Sequence, residues 1–461
     1  MSGPGYDLAI IGSGGAAFSA AIAARERDLR VVMIERGAVG GTCVNVGCIP
    51  SKALLAAAEQ RSRAAAQPFP GIRTDAGPVD MAVLVAGKNG IVESLRQEKY
   101  LDLAERYDIE LVHGEARFSE GLALEVDGRA VEAAAYLVAT GSTPRIPDLP
   151  GLAASGYLTS TTVMELDALP RSLIVLGGGY VALELAQLFA HLGTDVTLVA
   201  RSRVARREEP EIADALRDAL TADGIRILER TAAHSVRRDG TCVTVSTDAG
   251  GLDAEQLLVA TGRRPQIDGL GLQAAGVEVG QDGAVLVDDQ LRTSSPRIWA
   301  AGDVTGHPQF VYVAARHGKT VVENAFDHAG RSMDYTALPR ITFTAPTIAS
   351  AGLTETEAQA RGLATDSRVL ELSAVPRAIV SRSTRGVAKL VGEQGSGRIL
   401  GVHLLADGAG DAILAGVYAV QAGMTVQQMA DSWNPYLTIG EAVHLAAQSF
   451  TRDPAGLSCC A

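Results

Sequence analysis

The chain has 461 residues, which is more than one hydrophobic core normally supports, so it should divide into several domains. Hydrophobic residues make up 47% and charged residues 20%, the composition of an ordinary globular protein. The net charge is −12 and no run of Lys and Arg stands out, which argues against nucleic acid or an anionic membrane as the main partner. Because no signal peptide and no membrane-spanning apolar stretch is recognisable, we expect a cytoplasmic protein.

The first element is a predicted nucleotide-binding unit. An apolar strand over Tyr6–Ile11 leads into a glycine-rich turn, an alanine-rich helix follows, and a second strand ends on Glu35. In the turn, Gly12 makes the bend, Gly14 lets backbone amides approach a pyrophosphate, and Ala17 permits close packing of helix on strand. The carboxylate of Glu35 can accept hydrogen bonds from a ribose diol. We therefore predict that this unit binds an adenosine with a free ribose, as in FAD.

A cysteine-containing segment follows, with the sequence GGTCVNVGCIPSK over residues 40–52. Pro50 and the apolar run after it predict a helix start, so Cys48 should lie near a helix N-terminus, which lowers the pKa of a thiol. Lys52 shares its helical face and adds positive charge. Five cysteines in so long a chain are not a disulfide scaffold, and the spacing from Cys43 is not the usual zinc spacing. The segment predicts a redox-active pair; a structural metal site and two unrelated buried cysteines are the alternatives.

The nucleotide-binding arrangement occurs a second time, with Gly177, Gly179 and Ala182 in the three motif positions. The acid that ends the second strand of the first unit is missing here, and Arg201 and Arg203 follow that strand instead. A carboxylate would repel a 2′-phosphate, whereas guanidinium groups bind it through paired hydrogen bonds. The second unit is therefore predicted to bind NADPH in preference to NADH.

A further internal repeat supports the duplication. Two apolar strands close on the tripeptide Ala-Thr-Gly, at residues 139–141 and 260–262, and a later strand ends on Asp303, an acid suited to a flavin ribityl chain. A single glycine-rich loop can be no more than a tight turn, but two copies with matching repeats argue against that interpretation. From these strands we assign to the nucleotide sites Ala139, Thr140 and Gly141 in the first unit and Gly262 in the second.

These patterns predict an α/β protein with two Rossmann-like dinucleotide-binding domains and a C-terminal α+β domain. The FAD-binding domain should comprise residues 1–150 and 269–336, interrupted by an NADPH-binding domain at 151–268. Residues 337–461 carry no nucleotide signal, and should form the third domain with its cysteine-containing tail.

The cysteine segment, both glycine loops, the paired Ala-Thr-Gly strands and Ala-Gly-Asp303 resemble the flavoprotein pyridine nucleotide-disulfide oxidoreductases over essentially the whole chain. The resemblance implies FAD and a pyridine nucleotide as cofactors. It also implies a homodimer, in which the C-terminal domain is the dimerisation domain and completes the active site of the partner subunit.

The resemblance further implies roles for individual residues. Cys48 would contact the flavin as the charge-transfer thiolate, and Cys43 would exchange with substrate. Lys52 and Glu184 would pair near the flavin N5, and Tyr180 would occupy the position of a gate over the flavin. Thr42, which precedes the first cysteine, joins the residues expected to bind FAD.

One departure from the family pattern concerns the acid–base catalyst. Disulfide reductases of this family take a proton for the departing thiolate from a His in a His-Pro-Thr-x-x-Glu segment. Here Thr438 and Glu441 keep the pattern, but Leu437 replaces Pro and Tyr436 replaces His. A phenol with a pKa of about 10 exchanges protons poorly at neutral pH. This replacement counts against glutathione or lipoamide as the substrate.

The chain ends with adjacent cysteines, Cys459 and Cys460. By themselves they can be fortuitous thiols on an exposed terminus. Thiolates prefer soft metal ions, however, and mercury(II) is among the softest. Together with the missing His, the tail resembles that of family members that reduce mercury(II), in which a terminal cysteine pair passes the ion across the dimer to the inner pair. An additional N-terminal metal-binding domain, often present in such proteins, is not expected here.

The predicted substrate is therefore mercury(II) bound to thiols, and the predicted metal ligands are Cys43, Cys48, Cys459 and Cys460. Two alternatives remain. The chain can be a disulfide reductase of another thiol substrate that uses Tyr436 or water in place of His. It can also be a thiol-based metal carrier with a purely structural flavin, although a carrier has no use for NADPH.

Overall fold

The computed structural model describes residues 5–120 and 123–452. The first nucleotide-binding unit is built on a parallel sheet, whose inner strands are continuous apolar runs because both faces of the sheet are covered. In spatial order, its strands are Ile298–Ala300, Ala133–Val138, Tyr6–Ile11, Val31–Glu35 and Glu110–His113.

The two faces of this sheet are covered differently. Helices Gly15–Arg25 and Val311–Phe326 pack against each other on one face. Their backbones approach so closely that a Cβ atom on Gly318 would lie 2.1 Å from the carbonyl oxygen of Ala16, so only glycine fits there. Phe118 and its neighbours on a small antiparallel sheet cover the other face. The strands of that small sheet are Ala116–Ser119, Ala123–Val126 and Arg129–Val131.

The second unit repeats this layout. Its parallel sheet has the spatial order Arg226–Leu228, Asp195–Val199, Ser172–Leu176, Gln256–Val259 and Leu158–Thr159. The accompanying antiparallel sheet consists of Ala233–Asp239, Cys242–Thr247 and Gly250–Ala254. Its helices are Tyr180–Leu192 and Pro210–Ala222. The order of four strands is the same in both sheets, and only the fifth, edge strand comes from a different place in the chain order. This repeat confirms that two Rossmann-like units are present.

The C-terminal part is a mixed domain around an antiparallel sheet. In spatial order, the strands are Arg340–Thr342, Thr347–Gly352, Ile399–Ala406, Val387–Glu393 and Thr365–Glu371. Helices Ala409–Ala422 and Glu441–Gln448 pack against this sheet, as does Pro210–Ala222 from the second unit. The α/β class with an additional α+β domain is thereby confirmed.

Several further elements connect these layers. Cys48–Ala65 packs on Tyr180–Leu192, which brings the cysteine segment against the second unit. Strands Ser142–Pro144 and Arg263–Pro265 pair directly after the two Ala-Thr-Gly tripeptides. The other α-helices are Gly41–Asn45, Met81–Arg96, Asp102–Arg106, Glu355–Ala360, Pro376–Val380 and Val426–Ala430, with a π-helix at Gln97–Leu101 and 3-10 turns at Val163–Glu165, Gly302–Thr305 and Leu372–Ala374.

Candidate redox and nucleotide-binding site

Cys43 and Cys48 are half-buried free thiols, each of which influences the ionisation of the other. Cys48 is the first residue of its helix, two positions before the predicted start at Pro50. The hydrogen bond from Cys43 lowers the pKa of Cys48 to about 7 against the opposing effect of burial, assisted by Lys52 and by the helix-terminal backbone amide. The same hydrogen bond and burial raise the pKa of Cys43. Of the two cysteines, Cys48 is therefore the one that loses its proton more readily.

Lys52 lies one helical turn after Cys48 and is held in place by a buried carboxylate. Its Nζ is 2.7 Å from Oε2 of Glu184, and the backbone N–H of Phe343 donates to Oε1 of the same carboxylate at 2.9 Å. The Lys52 ammonium also lies 4.7 Å from the centre of the Phe343 ring. The pairing expected from the resemblance is thus present, and it fixes a positive charge beside the cysteine thiolate.

The first glycine loop has the geometry of a dinucleotide-binding turn. Gly12 has φ +105°, and a Cβ there would lie 2.5 Å from the carbonyl oxygen of Ala139. Gly14 caps helix Gly15–Arg25 and lies against Gly41, where a Cβ would be 2.6 Å from the Gly14 Cα. The cysteine segment is therefore seated directly on the predicted pyrophosphate-binding loop.

The other residues assigned to the first nucleotide site lie around this loop. Glu35 ends its strand and accepts hydrogen bonds from the Ser13 hydroxyl at 2.6 Å and the Gly37 amide at 2.7 Å. Ala17, in the first turn of helix Gly15–Arg25, is completely buried. Thr140 donates to the Gln266 carbonyl at 2.6 Å. The exposed Thr42 lies beside Cys43, and Gly141 has φ +69°.

Asp303 lies in the turn Gly302–Thr305 and is tied to the strand that follows the first Ala-Thr-Gly. Its Oδ2 accepts a hydrogen bond from the Ser142 hydroxyl at 2.6 Å. Arg263 donates to that hydroxyl and to the Ser142 carbonyl, both at 2.7 Å. Burial lowers the pKa of Arg263, while the charges of Asp303 and Cys48 raise it. These contacts link the first nucleotide site to the second Ala-Thr-Gly strand.

The second glycine loop matches the first in detail. Gly177 has φ +138°, and a Cβ there would lie 2.2 Å from the Ala260 carbonyl oxygen, as at Gly12 and its Ala-Thr-Gly strand. Gly179 caps helix Tyr180–Leu192, and the space around a Cβ on it is open. Ala182 is completely buried in the first turn of that helix. Gly262 has φ +119° and likewise faces open space.

The arginine segment after the second strand is exposed at Arg201, whereas Arg203 is committed to a contact within the domain. Arg203 forms an ion pair with Asp214 at 2.6 Å. Ala200 packs against the glycine loop, because a Cβ on Gly178 would lie 2.9 Å from the Ala200 Cβ. The site thus presents cations where the first unit presents Glu35.

Tyr180 follows the second glycine loop, and its hydroxyl donates to Oε1 of Glu208 at 3.1 Å. The other oxygen of Glu208 accepts a hydrogen bond from Ser350 of the C-terminal domain at 2.9 Å. Burial, and next the charge of Glu208, raises the pKa of Tyr180. Tyr180 is therefore held as a neutral phenol at the junction of the second unit and the C-terminal domain.

The segment that contains Tyr436 lies beside the far part of the helix that begins at Cys48. Residues 435 and 437–440 line a cavity together with Arg63, which is fifteen positions after Cys48 on a continuous helix, or about 22 Å along its axis. Glu441 is buried at its helix start, which raises the pKa of its carboxyl. The predicted outer pair, Cys459 and Cys460, lies outside the described residues.

Two groups of side chains were missed by sequence reasoning. Glu208 follows the arginine segment and belongs to no sequence motif that would mark it as functional. His307, His317 and Tyr335 form a hydrogen-bonded group behind the Gly302–Thr305 turn. His317 could have been noticed, since it lies on the apolar stripe of its helix between Val313 and Val321.

The comparisons with known proteins agree with this site. The family profile described as "Pyridine nucleotide-disulphide oxidoreductase" matches residues 6–318, and that of its dimerisation domain matches residues 338–447. The chain belongs to the pyridine nucleotide-disulphide oxidoreductase family, which confirms the resemblance seen in the motifs. Membership implies the use of FAD and of NADH or NADPH.

Among similar proteins, a mercuric reductase of Streptomyces lividans is 56% identical over 99% of this chain and 98% of its own length. A mercuric reductase of Staphylococcus aureus is 46% identical over 99% of this chain and 84% of the relative. Among solved structures, the Cu(II) complex of the HOCl-induced flavoprotein disulfide reductase RclA from Escherichia coli has a TM-score of 0.88 at 30% identity, covering 97% of this chain and 99% of that one. In the described part of this chain, no helix is long and apolar enough to cross a membrane.

Proposed function

We propose that this chain is an NADPH-dependent mercury(II) reductase in which Cys43 and Cys48 hold the metal ion as it is reduced. The observation that carries the proposal is the pair of free cysteines beside the Lys52–Glu184 ion pair, in a chain similar over its length to mercuric reductases. The reaction balances as mercury(II) plus NADPH giving elemental mercury, NADP+ and a proton. FAD, when bound, supplies the route by which two electrons pass from NADPH towards the cysteine pair.

The cysteine pair has the chemistry that a soft, two-sulfur substrate requires. Cys48 provides one sulfur as a thiolate near neutral pH, and Cys43 carries the proton of the shared hydrogen bond. A mercury ion bound between the two sulfurs takes the place of that proton, because thiol ligands bind metals in their deprotonated form. Lys52, fixed by Glu184, stabilises the negative charge that develops on the pair.

The residues around the first glycine loop fit FAD. Gly12 and Gly14 contribute no side chains to the loop at the helix N-terminus, where a pyrophosphate would bind, and the hydroxyl of Ser13 between them donates to Glu35. Glu35 offers its carboxylate to the adenosine ribose, and Asp303 offers its own to the ribityl chain. Membership of a family that uses FAD supports the same assignment.

The residues around the second loop fit NADPH better than NADH. Gly177 and Gly179 repeat the open turn, and Ala200 stands where an acid would otherwise repel the 2′-phosphate. Arg201 is exposed and available to that phosphate, whereas Arg203 must first leave Asp214. We therefore assign the phosphate contact chiefly to Arg201.

We further propose that the active enzyme is a homodimer with shared sites. The match to a dimerisation domain supports this arrangement. So does exposed apolar surface on the C-terminal domain, including Leu414, Tyr418 and Trp433. In such a dimer, Tyr436 and Glu441 of one chain would approach the cysteine pair of the partner, since the segment that contains Tyr436 lies beside the far part of the helix that begins at Cys48 of its own chain. Cys459 and Cys460 would deliver mercury from external thiols.

NADPH oxidation by the purified flavoprotein tests the proposal. Mercury(II) in excess thiol, oxidised glutathione, oxidised lipoamide and copper(II) should be compared side by side, and release of elemental mercury vapour should be measured directly. We expect vapour stoichiometric with NADPH consumed and little turnover of either disulfide. Cys43→Ser is the control that removes one metal ligand without changing size. Rapid turnover of a disulfide without mercury release would establish the alternative disulfide reductase.

A further inference from the structure

A chain of hydrogen bonds lies behind the turn that carries Asp303. The Gly302 N–H donates to Nδ1 of His317 at 3.1 Å. Nε2 of His317 is 2.6 Å from the Tyr335 hydroxyl, and that hydroxyl is 2.9 Å from Nδ1 of His307. His317 is completely buried in helix Val311–Phe326. This series of hydrogen bonds thus begins at Gly302, the first residue of the turn, and ends at His307, in the loop just after the turn.

The first hydrogen bond determines which group is the donor and which the acceptor in each of the others. Because Nδ1 of His317 accepts the Gly302 amide proton, the neutral imidazole must carry its hydrogen on Nε2 and donate it to Tyr335. Tyr335 then donates its own hydrogen to Nδ1 of His307. Burial lowers the pKa of both imidazoles, in agreement with the neutral forms that this pattern requires.

The turn held by these hydrogen bonds begins at a glycine with a positive φ. Gly302 has φ +78° and is wedged between Ala16 and Ala314, which a Cβ would approach to 3.4 and 3.3 Å. Its buried N–H would be costly to leave without a partner. The next residue is Asp303, whose carboxylate is aligned by Ser142. The orientation of Asp303 therefore depends on a glycine whose amide is fixed by His317.

We propose that His317, supported by Tyr335 and His307, is a positioning residue for FAD binding. His317 does not contact the reacting groups. It holds the Gly302–Asp303 turn in the conformation that presents the Asp303 carboxylate to the ribityl chain of FAD. The inference rests on the proposed FAD assignment of Asp303, but not on mercury as the substrate.

Three substitutions test this role. His317→Leu removes the acceptor and leaves the Gly302 amide unpaired, whereas His317→Asn places a carbonyl oxygen near the position of Nδ1. Tyr335→Phe keeps the ring and removes the hydroxyl. The dissociation constant for FAD should be measured on deflavinated protein by quenching of flavin fluorescence. We expect it to rise about tenfold in His317→Leu, since a lost buried hydrogen bond is worth about 1.4 kcal/mol.

The conservative variant and a matched control separate positioning from general destabilisation. His317→Asn should remain within about threefold of the unmodified protein. Val321→Ala, one turn further along the same helix and equally buried, should lower the melting temperature without changing the FAD dissociation constant. Tyr335→Phe should weaken FAD binding less when His317→Leu is already present, because both changes break one chain of bonds.

Equal FAD affinity of His317→Leu and the unmodified protein would overturn the inference. So would an equal loss of affinity in Val321→Ala at a matched loss of melting temperature. Neither result would bear on mercury reduction, because the measurement uses no metal. Conversely, absence of mercury reduction in protein with the expected FAD affinities would contradict the proposed function alone.

Discussion

The two cysteines of the inner pair differ in chemistry because of where they lie. Cys48 receives a hydrogen bond, the field of Lys52 and a helix-terminal amide, while Cys43 donates the hydrogen bond and gains no comparable stabilisation of its anion. Near neutral pH, a proton is therefore lost more readily from Cys48 than from Cys43. This asymmetry supports the proposed roles, in which Cys48 is the resident thiolate and Cys43 exchanges with incoming sulfur or metal.

Single substitutions in the pair should have opposite spectroscopic results. Cys43→Ala leaves Cys48 unable to form a disulfide, so the purified flavoprotein should show a long-wavelength charge-transfer absorbance without any reductant. Cys48→Ala should show no such band. Both variants should lose mercury reduction by several orders of magnitude, because one thiolate cannot provide two-sulfur coordination. The reverse pattern of absorbance, recorded at pH 8 under nitrogen, would exchange the roles assigned to the two cysteines.

Sequence patterns were sufficient for residues that belong to a local motif. Gly12, Gly177 and the cysteine segment lie where the motifs predicted, because the backbone conformation at each is determined by nearby residues. Contacts between distant segments were not predictable in this way. Glu208 meets Ser350 across a domain boundary, and His317 meets Tyr335 beyond the end of its helix. Nothing local in either sequence specifies its partner.

At the scale of elements, the duplicated unit shows how one fold serves two nucleotides. Four strands have the same order in both sheets, and both glycine turns lie against an Ala-Thr-Gly strand. The difference is concentrated after the second strand of each sheet, where Glu35 in one unit corresponds to Ala200 and Arg201 in the other. Selectivity between a free ribose and a 2′-phosphate should therefore depend on a few exposed side chains.

Charge reversal at this segment should change nucleotide preference. Arg201→Glu is expected to raise the KM for NADPH and narrow or reverse the preference over NADH, because a carboxylate repels the 2′-phosphate. Arg203→Ala should have a smaller effect, since Arg203 is already paired with Asp214. Steady-state kinetics with both nucleotides at saturating mercury provides the measurement. Equal kcat/KM for NADPH and NADH in the unmodified enzyme would contradict the assignment.

His317, buried in helix Val311–Phe326, should make the free energy of unfolding depend on pH. Burial, and next the charge of His307, lowers the pKa of His317 to about 4 from its ordinary value of 6.5; Tyr335 is the other titratable group against the ring. Between pH 4 and pH 6.5 the unfolded chain binds more protons at His317 than the folded chain does. The contribution of His317 to the free energy of unfolding is therefore fully present above about pH 6.5 and is lost as the pH falls towards about 4.

The size of this effect can be measured by removing the group. Acidification below the pKa of folded His317 should lower the free energy of unfolding by roughly 3 kcal/mol through this residue. The pKa of buried His403 is also lowered, so His403 changes the free energy of unfolding in the same direction. Urea unfolding of His317→Asn at pH 7.5, 6.5 and 5.5 should give a shallower decline with acidification than the unmodified protein. Parallel declines would show that His317 is not responsible for the pH dependence.

At the scale of the whole molecule, buried polar contacts join the second unit to the C-terminal domain. Lys389 is almost fully buried and pairs with Glu209 at 3.0 Å, Glu211 at 3.0 Å and Glu355 at 3.1 Å. Separation of the two domains would leave these buried charges without partners, which is costly. We therefore expect the domains to move little relative to each other. The boundaries near residues 150, 268 and 336 stay predictions, and the pairing of Ser142–Pro144 with Arg263–Pro265 joins the two predicted nucleotide-binding domains in one small sheet.

The dimer and its outer cysteines allow a test that involves the complete assembly. Cys459→Ala with Cys460→Ala should leave the flavin spectrum and the inner pair unchanged. Turnover of mercury bound to two glutathione molecules should fall at least tenfold, whereas turnover of mercury dibromide should change little. The physical reason is access: a bulky complex must first exchange its ligands with an outer thiol, and small ligands need no such help.

Mixed dimers then determine whether the outer pair serves its own chain or the partner. Subunits lacking Cys459 and Cys460 should be unfolded and refolded together with subunits lacking Cys43 and Cys48. Each heterodimer holds one site with an intact inner pair from one chain and an intact outer pair from the other. If delivery crosses the interface, activity on the glutathione complex should reappear on mixing, at up to half the specific activity per heterodimer. If delivery stays within one chain, every site in the mixture lacks one of the two pairs, and activity should remain at the level of the separate variants. Refolding each variant alone provides the matched control for recovery of flavin and fold.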